Sequence, residues 1–270
     1  MKISFIGGGN MATALISGLA GKFTSGANIH VVDLNSDALE KLTQQFGVTT
    51  SVQIDATVAA SDVIVLAVKP QQMRDVVAHL QPHVSTQLVL SIAAGIRAQD
   101  LSRWLAGHAA IVRCMPNTPA LIGQGITGMV ALPGVSAAQH DAANSIMQAV
   151  GSTVWLDEES QIDAVTAVSG SGPAYVFYFI EAMQQAAQEL GLNAEQGSQL
   201  AIATFVGAAQ LAAQSTDPVS VLRERVTSKG GTTYAALTSM DDSGVKERII
   251  GAVKAAALRS QELGEEMGLD

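Results

Sequence analysis

At 270 residues, with 48% hydrophobic and 4% aromatic side chains, the chain can bury a substantial core in one or two domains and is too apolar to be disordered. Its net charge of −9, from 15 basic and 24 acidic residues, opposes phosphate backbones, so nucleic acid is not an expected partner. The single cysteine, Cys114, excludes an intrachain disulfide and a paired-cysteine metal site, and it fits a reducing compartment.

The chain opens on Ile3-Ser4-Phe5-Ile6, a short apolar run that meets glycine after six residues. That run is too short for a signal-peptide core and reads as a buried strand, so cytoplasm is the expected location. Met11 to Leu19 has helical spacing, Ile29-His30-Val31-Val32 is a second strand, and Asp37 to Phe46 a second helix. Further strands are expected at Val63 to Val68, at Leu88 to Ser91 and at Ile111 to Cys114. Ala137 to Val150 reads as a helix, and Thr153 to Leu156 as a last strand. Strands alternating with helices of this length predict βαβ units, a parallel sheet covered on both faces, and hence a doubly wound α/β domain of Rossmann type.

After Asp157-Glu158-Glu159 the period changes. Tyr175 to Leu190, Ala194 to Gln214 and Val245 to Met267 all carry apolar residues at helical spacing, with Gly191 a stop signal and Asn193 an N-cap. The expected division is a dinucleotide-binding domain at 1–158 and an all-helical domain at 159–270. Ala201 to Ala213 is apolar on most faces, more than a small helical domain can bury alone, so a second subunit is expected to cover it. The uncharged stretch from Ala164 to Ile180 contains Ser169-Gly170-Ser171-Gly172-Pro173, which would break a membrane helix, so no membrane span is expected.

Gly7, Gly9 and Ala12 in Ile6-Gly7-Gly8-Gly9-Asn10-Met11-Ala12 fit the G-x-G-x-x-G/A fingerprint between a strand and a helix. The first glycine permits a tight turn, and the second lets backbone approach a pyrophosphate. The alanine lets helix and strand pack closely. Asp33 ends the second strand, 26 residues after Gly7. It either accepts bonds from ribose hydroxyls, in which case it opposes a 2′-phosphate, or caps the next helix. With Leu34, Asn35 and Ser36 following it and no basic residue adjacent, charge favours NADH.

Ala67-Val68-Lys69-Pro70, Ala93-Ala94-Gly95 and Met115-Pro116-Asn117-Thr118-Pro119 each follow a strand. All three therefore fall at the carboxyl edge of the sheet, where ligands bind in such folds. Lys69 meets either a cofactor or solvent there. Ser228-Lys229-Gly230-Gly231-Thr232-Thr233 leads into a helix, and its glycines and threonines can present bare N–H groups and a hydroxyl to a carboxylate, or form an ordinary N-cap. His30, His79, His83, His108 and His140 are scattered, none at ligand spacing to a carboxylate, so no metal is expected.

Taken together, Gly7 to Met11, Ala67 to Pro70, Ala93 to Gly95, Met115 to Pro119, Ser169 to Tyr175 and Gly230 to Thr233 closely resemble the pyrroline-5-carboxylate reductase family over nearly the whole chain. The resemblance implies reduction of L-1-pyrroline-5-carboxylate to L-proline by NADPH or NADH, and a helical dimerisation domain whose dimers can assemble into decamers. It implies that Gly7, Gly8, Gly9, Asn10, Met11 and Ala12 hold the pyrophosphate. Asp33 and Asn35 would lie at the adenosine ribose. Ala67, Val68, Lys69, Pro70, Ala94 and Asn117 would flank the ribose and nicotinamide. Gly230, Gly231 and Thr232 would bind the substrate carboxylate, and Thr233, the candidate catalytic residue, would meet the ring nitrogen. Two positions depart from the family pattern: Asp33-Leu34-Asn35 stands where many members carry Ser-Asn-Arg, and Lys229 where proline is frequent. A β-hydroxyacid dehydrogenase would need a lysine within Tyr175 to Leu190, and there is none. A nucleotide sensor without catalysis would need neither Thr233 nor Asn117.

Overall fold

In the computed structural model, which describes residues 1–269, eight strands form one sheet in the order β3-β2-β1-β4-β5-β6-β7-β8. The strands are β1 (Ile3–Ile6), β2 (Ile29–Val32), β3 (Thr49–Ser51), β4 (Val63–Leu66), β5 (Leu88–Ser91), β6 (Ile111–Met115), β7 (Gly125–Ala131) and β8 (Gly151–Trp155). The helices between them are α1 (Asn10–Leu19), α2 (Ser36–Phe46), α3 (Ala56–Ala59), α4 (Pro70–Leu80), α5 (Ala98–Trp104) and α6 (Ala137–Gln148). After β8 come α7 (Gln161–Val165), α8 (Gly172–Glu189), α9 (Ala194–Gln214), α10 (Val219–Arg225), α11 (Thr232–Asp242) and α12 (Val245–Gly268).

Strands β1 to β6 are parallel, in the doubly wound Rossmann order. Alternate strand positions sort into two cores. Phe5, Val31, Val65, Leu90 and Cys114 pack with α1, α2 and α6 on one face. Ile6, Val32, Ile64, Leu66 and Val89 pack with α3, α4 and α5 on the other. This period-2 sorting explains why each strand reads as a continuous apolar run.

The expectation of a wholly parallel sheet needs correction. β7 runs antiparallel to β6, and β8 is parallel to β7. The link from β6 to β7 holds only the 3₁₀ turn Thr118–Ile122, too short for a crossover helix, so the chain must turn back on itself.

The chain clusters into two compact units, Met1–Ser171 joined by the chain from Ala256 onward, and Gly172–Ala255. This partition differs from a division at residue 158. The reason is packing. α7 lies on β7 and stays with the sheet, and the end of α12 docks on the first unit through small residues. Ser260 donates to the Asp163 carboxylate at 2.7 Å, Arg103 donates to the Gly268 carbonyl at 2.7 Å, and Arg74 donates to the Leu269 carbonyl at 3.2 Å. Gly264 lets the Arg97 side chain lie against the helix, since a Cβ there would sit 3.1 Å from Nε.

The second unit is wholly helical among its described residues. Gly191 takes φ +97° after α8, and Asn193 caps α9 in a reciprocal box with Gln196, worth about 1 kcal/mol for such caps. Few of its side chains are buried. Phe177, Val206 and Leu211 are 61%, 52% and 69% exposed, an apolar surface that the single chain does not cover.

Candidate functional site

β1 lies between β2 and β4, and the chain leaves β1 toward β2 but leaves β4 toward β5, in the opposite direction along the sheet, which opens a crevice at the carboxyl ends of the strands. Gly7 sits at that point. Its N–H donates to the Val32 carbonyl at 2.8 Å, while the Ala67 N–H donates to the Ile6 carbonyl at 2.8 Å. Gly7 has φ +104°, and a Cβ on it would lie 2.6 Å from the Ala67 carbonyl oxygen. Both the turn and the approach of β4 therefore require glycine. Gly9 is the N-cap of α1, with no side-chain cap and no acidic residue in the first turn. The positive end of α1 is thus bare at Asn10 and Met11, while Ala12 is buried in the core.

Asp33 joins this loop to the next helix. Its Oδ2 accepts from the Gly8 N–H at 2.6 Å and its Oδ1 from the Asn35 N–H at 2.8 Å. Asn35 in turn caps α2 by accepting from the Ala38 N–H at 3.2 Å. Gly7, Asp33 and Val68 line a cleft of about 730 Å³. Its apolar walls are Leu34, Val52, Ile54 and Val76, and its polar groups include Asp33, Gln72, Asp75 and His79. A flat aromatic base fits such walls, and hydroxyls fit such acceptors. A second cavity, beyond the C-terminus of α1 around Lys22 and Phe23, is at the opposite, amino-terminal edge of the strands.

The remaining expected cofactor residues lie along the same edge. Lys69 is the exposed N-cap residue of α4, with Pro70 at its first helical position. Ala94 and Gly95 form the turn after β5, and Leu263 packs over Gly95. Asn117 follows β6, is 9% exposed, and accepts from the Ile126 N–H at 3.0 Å, which fixes the plane of its amide.

In the second unit, Gly230 takes φ +72°, and Gly231 is the N-cap of α11 with extended backbone and no side-chain cap. The N-cap residue is thus a glycine and not one of the threonines. The Gly231 N–H is spent inside the turn, on the Ser228 carbonyl at 2.9 Å. The bare donors at this helix start are those of Thr232 and the residues after it, with the half-buried Thr233 beside them. An uncapped start of this kind attracts a carboxylate.

One feature of the first unit escaped the sequence reading. Arg113, 4% exposed on β6, donates to Glu159 Oε1 at 3.0 Å, and the same oxygen accepts from the Ala98 N–H at 2.6 Å. The signal was present: a guanidinium inside the apolar run Ile111 to Cys114 needs a partner, and the acidic run at 157–159 holds one. Among the described residues, no group of three or more His, Cys, Asp or Glu side chains is placed to hold a metal ion, and no helix is long and apolar enough to cross a membrane.

Comparison with known proteins agrees with this geometry. Residues 159–263 match the family model for pyrroline-5-carboxylate reductase dimerisation, and residues 2–95 match that for NADP oxidoreductase, coenzyme F420-dependent. The chain is 46% identical over 268 residues to a pyrroline-5-carboxylate reductase of Pseudomonas aeruginosa, covering 99% of this chain and 98% of that one. A solved pyrroline-5-carboxylate reductase from Coxiella burnetii superposes with a TM-score of 0.91 at 40% identity, covering 97% of this chain and 98% of that one. A Plasmodium falciparum pyrroline carboxylate reductase, solved with NADP bound, gives 0.87 at 29% identity with 98% of both chains covered. With fold, motif order and full-length similarity in agreement, the chain belongs to the pyrroline-5-carboxylate reductase family.

Proposed function

We propose that this chain reduces L-1-pyrroline-5-carboxylate to L-proline with a reduced nicotinamide dinucleotide, NADPH or NADH, as the last step of proline biosynthesis. The observation that carries the reading is 46% identity to a named reductase over 99% of the chain, a span that takes in both uncapped helix starts. The dinucleotide supplies the hydride that the imine carbon takes up.

The chain's own residues bind and orient. The bare start of α1, from Gly7 to Ala12, receives the pyrophosphate. Asp33 receives the adenosine ribose, with Asn35 holding the turn below it. Ala67 to Pro70, Ala94 and Asn117 flank the ribose and nicotinamide. In the second unit, Gly230 and Gly231 shape the turn, the Gly231 N–H being spent on the Ser228 carbonyl, and the N–H of Thr232 at the bare start of α11 holds the substrate carboxylate. The Thr233 hydroxyl orients the ring nitrogen, which gains a proton as the carbon gains hydride. Such placement of two reactants supplies up to about 7–11 kcal/mol in well-oriented systems. On this reading residues 1–158 serve the cofactor and 159–270 serve the substrate and the subunit contact.

The working unit is a homodimer, able to assemble further into a decamer, and it acts in the cytoplasm. The uncovered apolar side chains of α8 and α9 support the dimer, and the lone, buried Cys114 is in keeping with a reducing compartment. Sedimentation separates monomer, dimer and decamer. The activity is tested by following loss of the reduced nicotinamide absorbance with pyrroline-5-carboxylate, and L-proline by chromatography. Oxidation of cofactor without proline formed would overturn the reading.

A further inference from the structure

We propose that the adenosine cleft of this chain selects the unphosphorylated coenzyme, NADH, over NADPH, and that Asp33 is the residue that makes the choice. The inference rests on the reading of this cleft as the dinucleotide site and goes on to name its preferred ligand. Three observations carry it.

The first is the aim of Asp33. Its two oxygens are fixed by backbone donors, Gly8 at 2.6 Å and Asn35 at 2.8 Å, on a residue that lines the cleft beside Gly7. A carboxylate held in this way keeps lone pairs for two neighbouring hydroxyls, which donate. A 2′-phosphate offers only acceptor oxygens and a second negative charge.

The second is the charge of the cleft. Asp75 lines it together with Asp33, and none of the residues lining it is Lys or Arg. Recognition of a 2′-phosphate calls for a guanidinium or ammonium in reach. Here the phosphate would meet the two carboxylates, with the imidazoles of His79 and His83 the only basic side chains among the lining residues.

The third is what the arginine of α4 and the two residues after Asp33 are doing. Arg74 shares α4 with Gln72 and Asp75, but its guanidinium donates to the Leu269 carbonyl at 3.2 Å. Asn35, two residues after Asp33, is oriented by the bond its side-chain oxygen accepts at the start of α2, and its amide brings no positive charge. Leu34 between them is apolar and 85% exposed.

The test is calorimetric titration of the full-length protein with NADH and with NADPH, without substrate, beside steady-state kcat/KM for each coenzyme. NADH binds at least about tenfold more tightly, and kcat/KM follows the same order. Asp33→Ser narrows the ratio by gaining affinity for NADPH, and Asp33→Asn narrows it with less change of shape. Circular dichroism checks that each variant folds, and the wild-type ratio decides the selectivity claim by itself. Equal or tighter binding of NADPH by the wild type overturns the inference and leaves the dinucleotide reading standing. Binding of neither coenzyme overturns both. Variants that weaken both coenzymes equally would make Asp33 a prop for the Gly8 turn and remove it from the choice.

Discussion

Gly7 and Ala67 approach so closely that no side chain fits between them: a Cβ on Gly7 would lie 2.6 Å from the Ala67 carbonyl oxygen, at a backbone φ of +104°. Gly9, two residues on, is the opposite case. It has φ −70°, and a Cβ there would meet no protein atom within 4 Å. Gly7→Ala is expected to cost about 2–4 kcal/mol of stability, because neither backbone can give way, and to abolish coenzyme binding. Gly9→Ala is expected to leave stability within about 0.5 kcal/mol and still weaken coenzyme binding, since only a ligand needs that space. Urea denaturation paired with coenzyme titration separates the two. Equal effects of both substitutions on stability would contradict the assignment.

Thr233 lies in the first turn of α11, and its side chain does not cap the helix. Thr233→Ala should therefore lower turnover at least about tenfold, equivalent to roughly 1.4 kcal/mol of transition-state stabilisation, with coenzyme affinity little changed. Thr233→Ser should restore much of the loss. Turnover equal to wild type in Thr233→Ala would remove the hydroxyl from the mechanism.

Glu159 holds two donors at once, the Arg113 guanidinium at 3.0 Å and the Ala98 N–H at 2.6 Å. Glu159→Ala leaves a guanidinium that is 4% exposed with no counter-charge, at a cost of about 2–4 kcal/mol, discounted because Glu159 itself is partly exposed. Arg113→Met together with Glu159→Leu should recover at least about 1 kcal/mol of that loss, because a buried apolar pair has no charge to desolvate. Denaturant midpoints at fixed pH measure both.

His30 is a buried neutral histidine. His30 Nδ1 shares a hydrogen bond with Thr49 Oγ1 at 2.9 Å, and Nε2 has no hydrogen-bond partner, 4.0 Å from Asp55 Oδ1. Burial pushes the His30 imidazole below its ordinary 6.5, and the Asp55 carboxylate offsets this only in part. The unfolded chain therefore takes up the proton first. The stability His30 contributes is complete above the unfolded value of 6.5 and falls away as pH drops below it toward the lower folded value. Denaturation midpoints measured downward from about pH 8 should decline in this window. The decline should be shallower in His30→Leu. Parallel curves for the two proteins would refute the account.

Much of the first unit was legible because its strands are buried on both faces, which writes them as unbroken apolar runs such as Val63 to Leu66. β3 and β7 were not legible. Thr49–Ser51 is polar and partly exposed, and Gly125–Ala131 has two glycines where a strand usually shows side chains. The docking of the α12 end was hidden for a similar reason, since the apolar Leu263 and Met267 of its contact face are interleaved with Ser260, Gly264 and Gly268, which carry no hydrophobic signal. At the site, glycines and prolines marked the loops after β1, β4, β5 and β6, because backbone geometry limits those positions to few residue types. Hydrogen-bond partners were not readable: that Asp33 props Gly8, that Asn117 holds β7, and that Ser228 takes the Gly231 N–H all depend on tertiary placement.

The bond between Asp33 and Gly8 has an evolutionary consequence. A lineage that moves toward the phosphorylated coenzyme by exchanging this acid for a small polar residue gives up a brace of the glycine turn in the same step, so the change of ligand carries a cost in the firmness of the loop that later changes can repair.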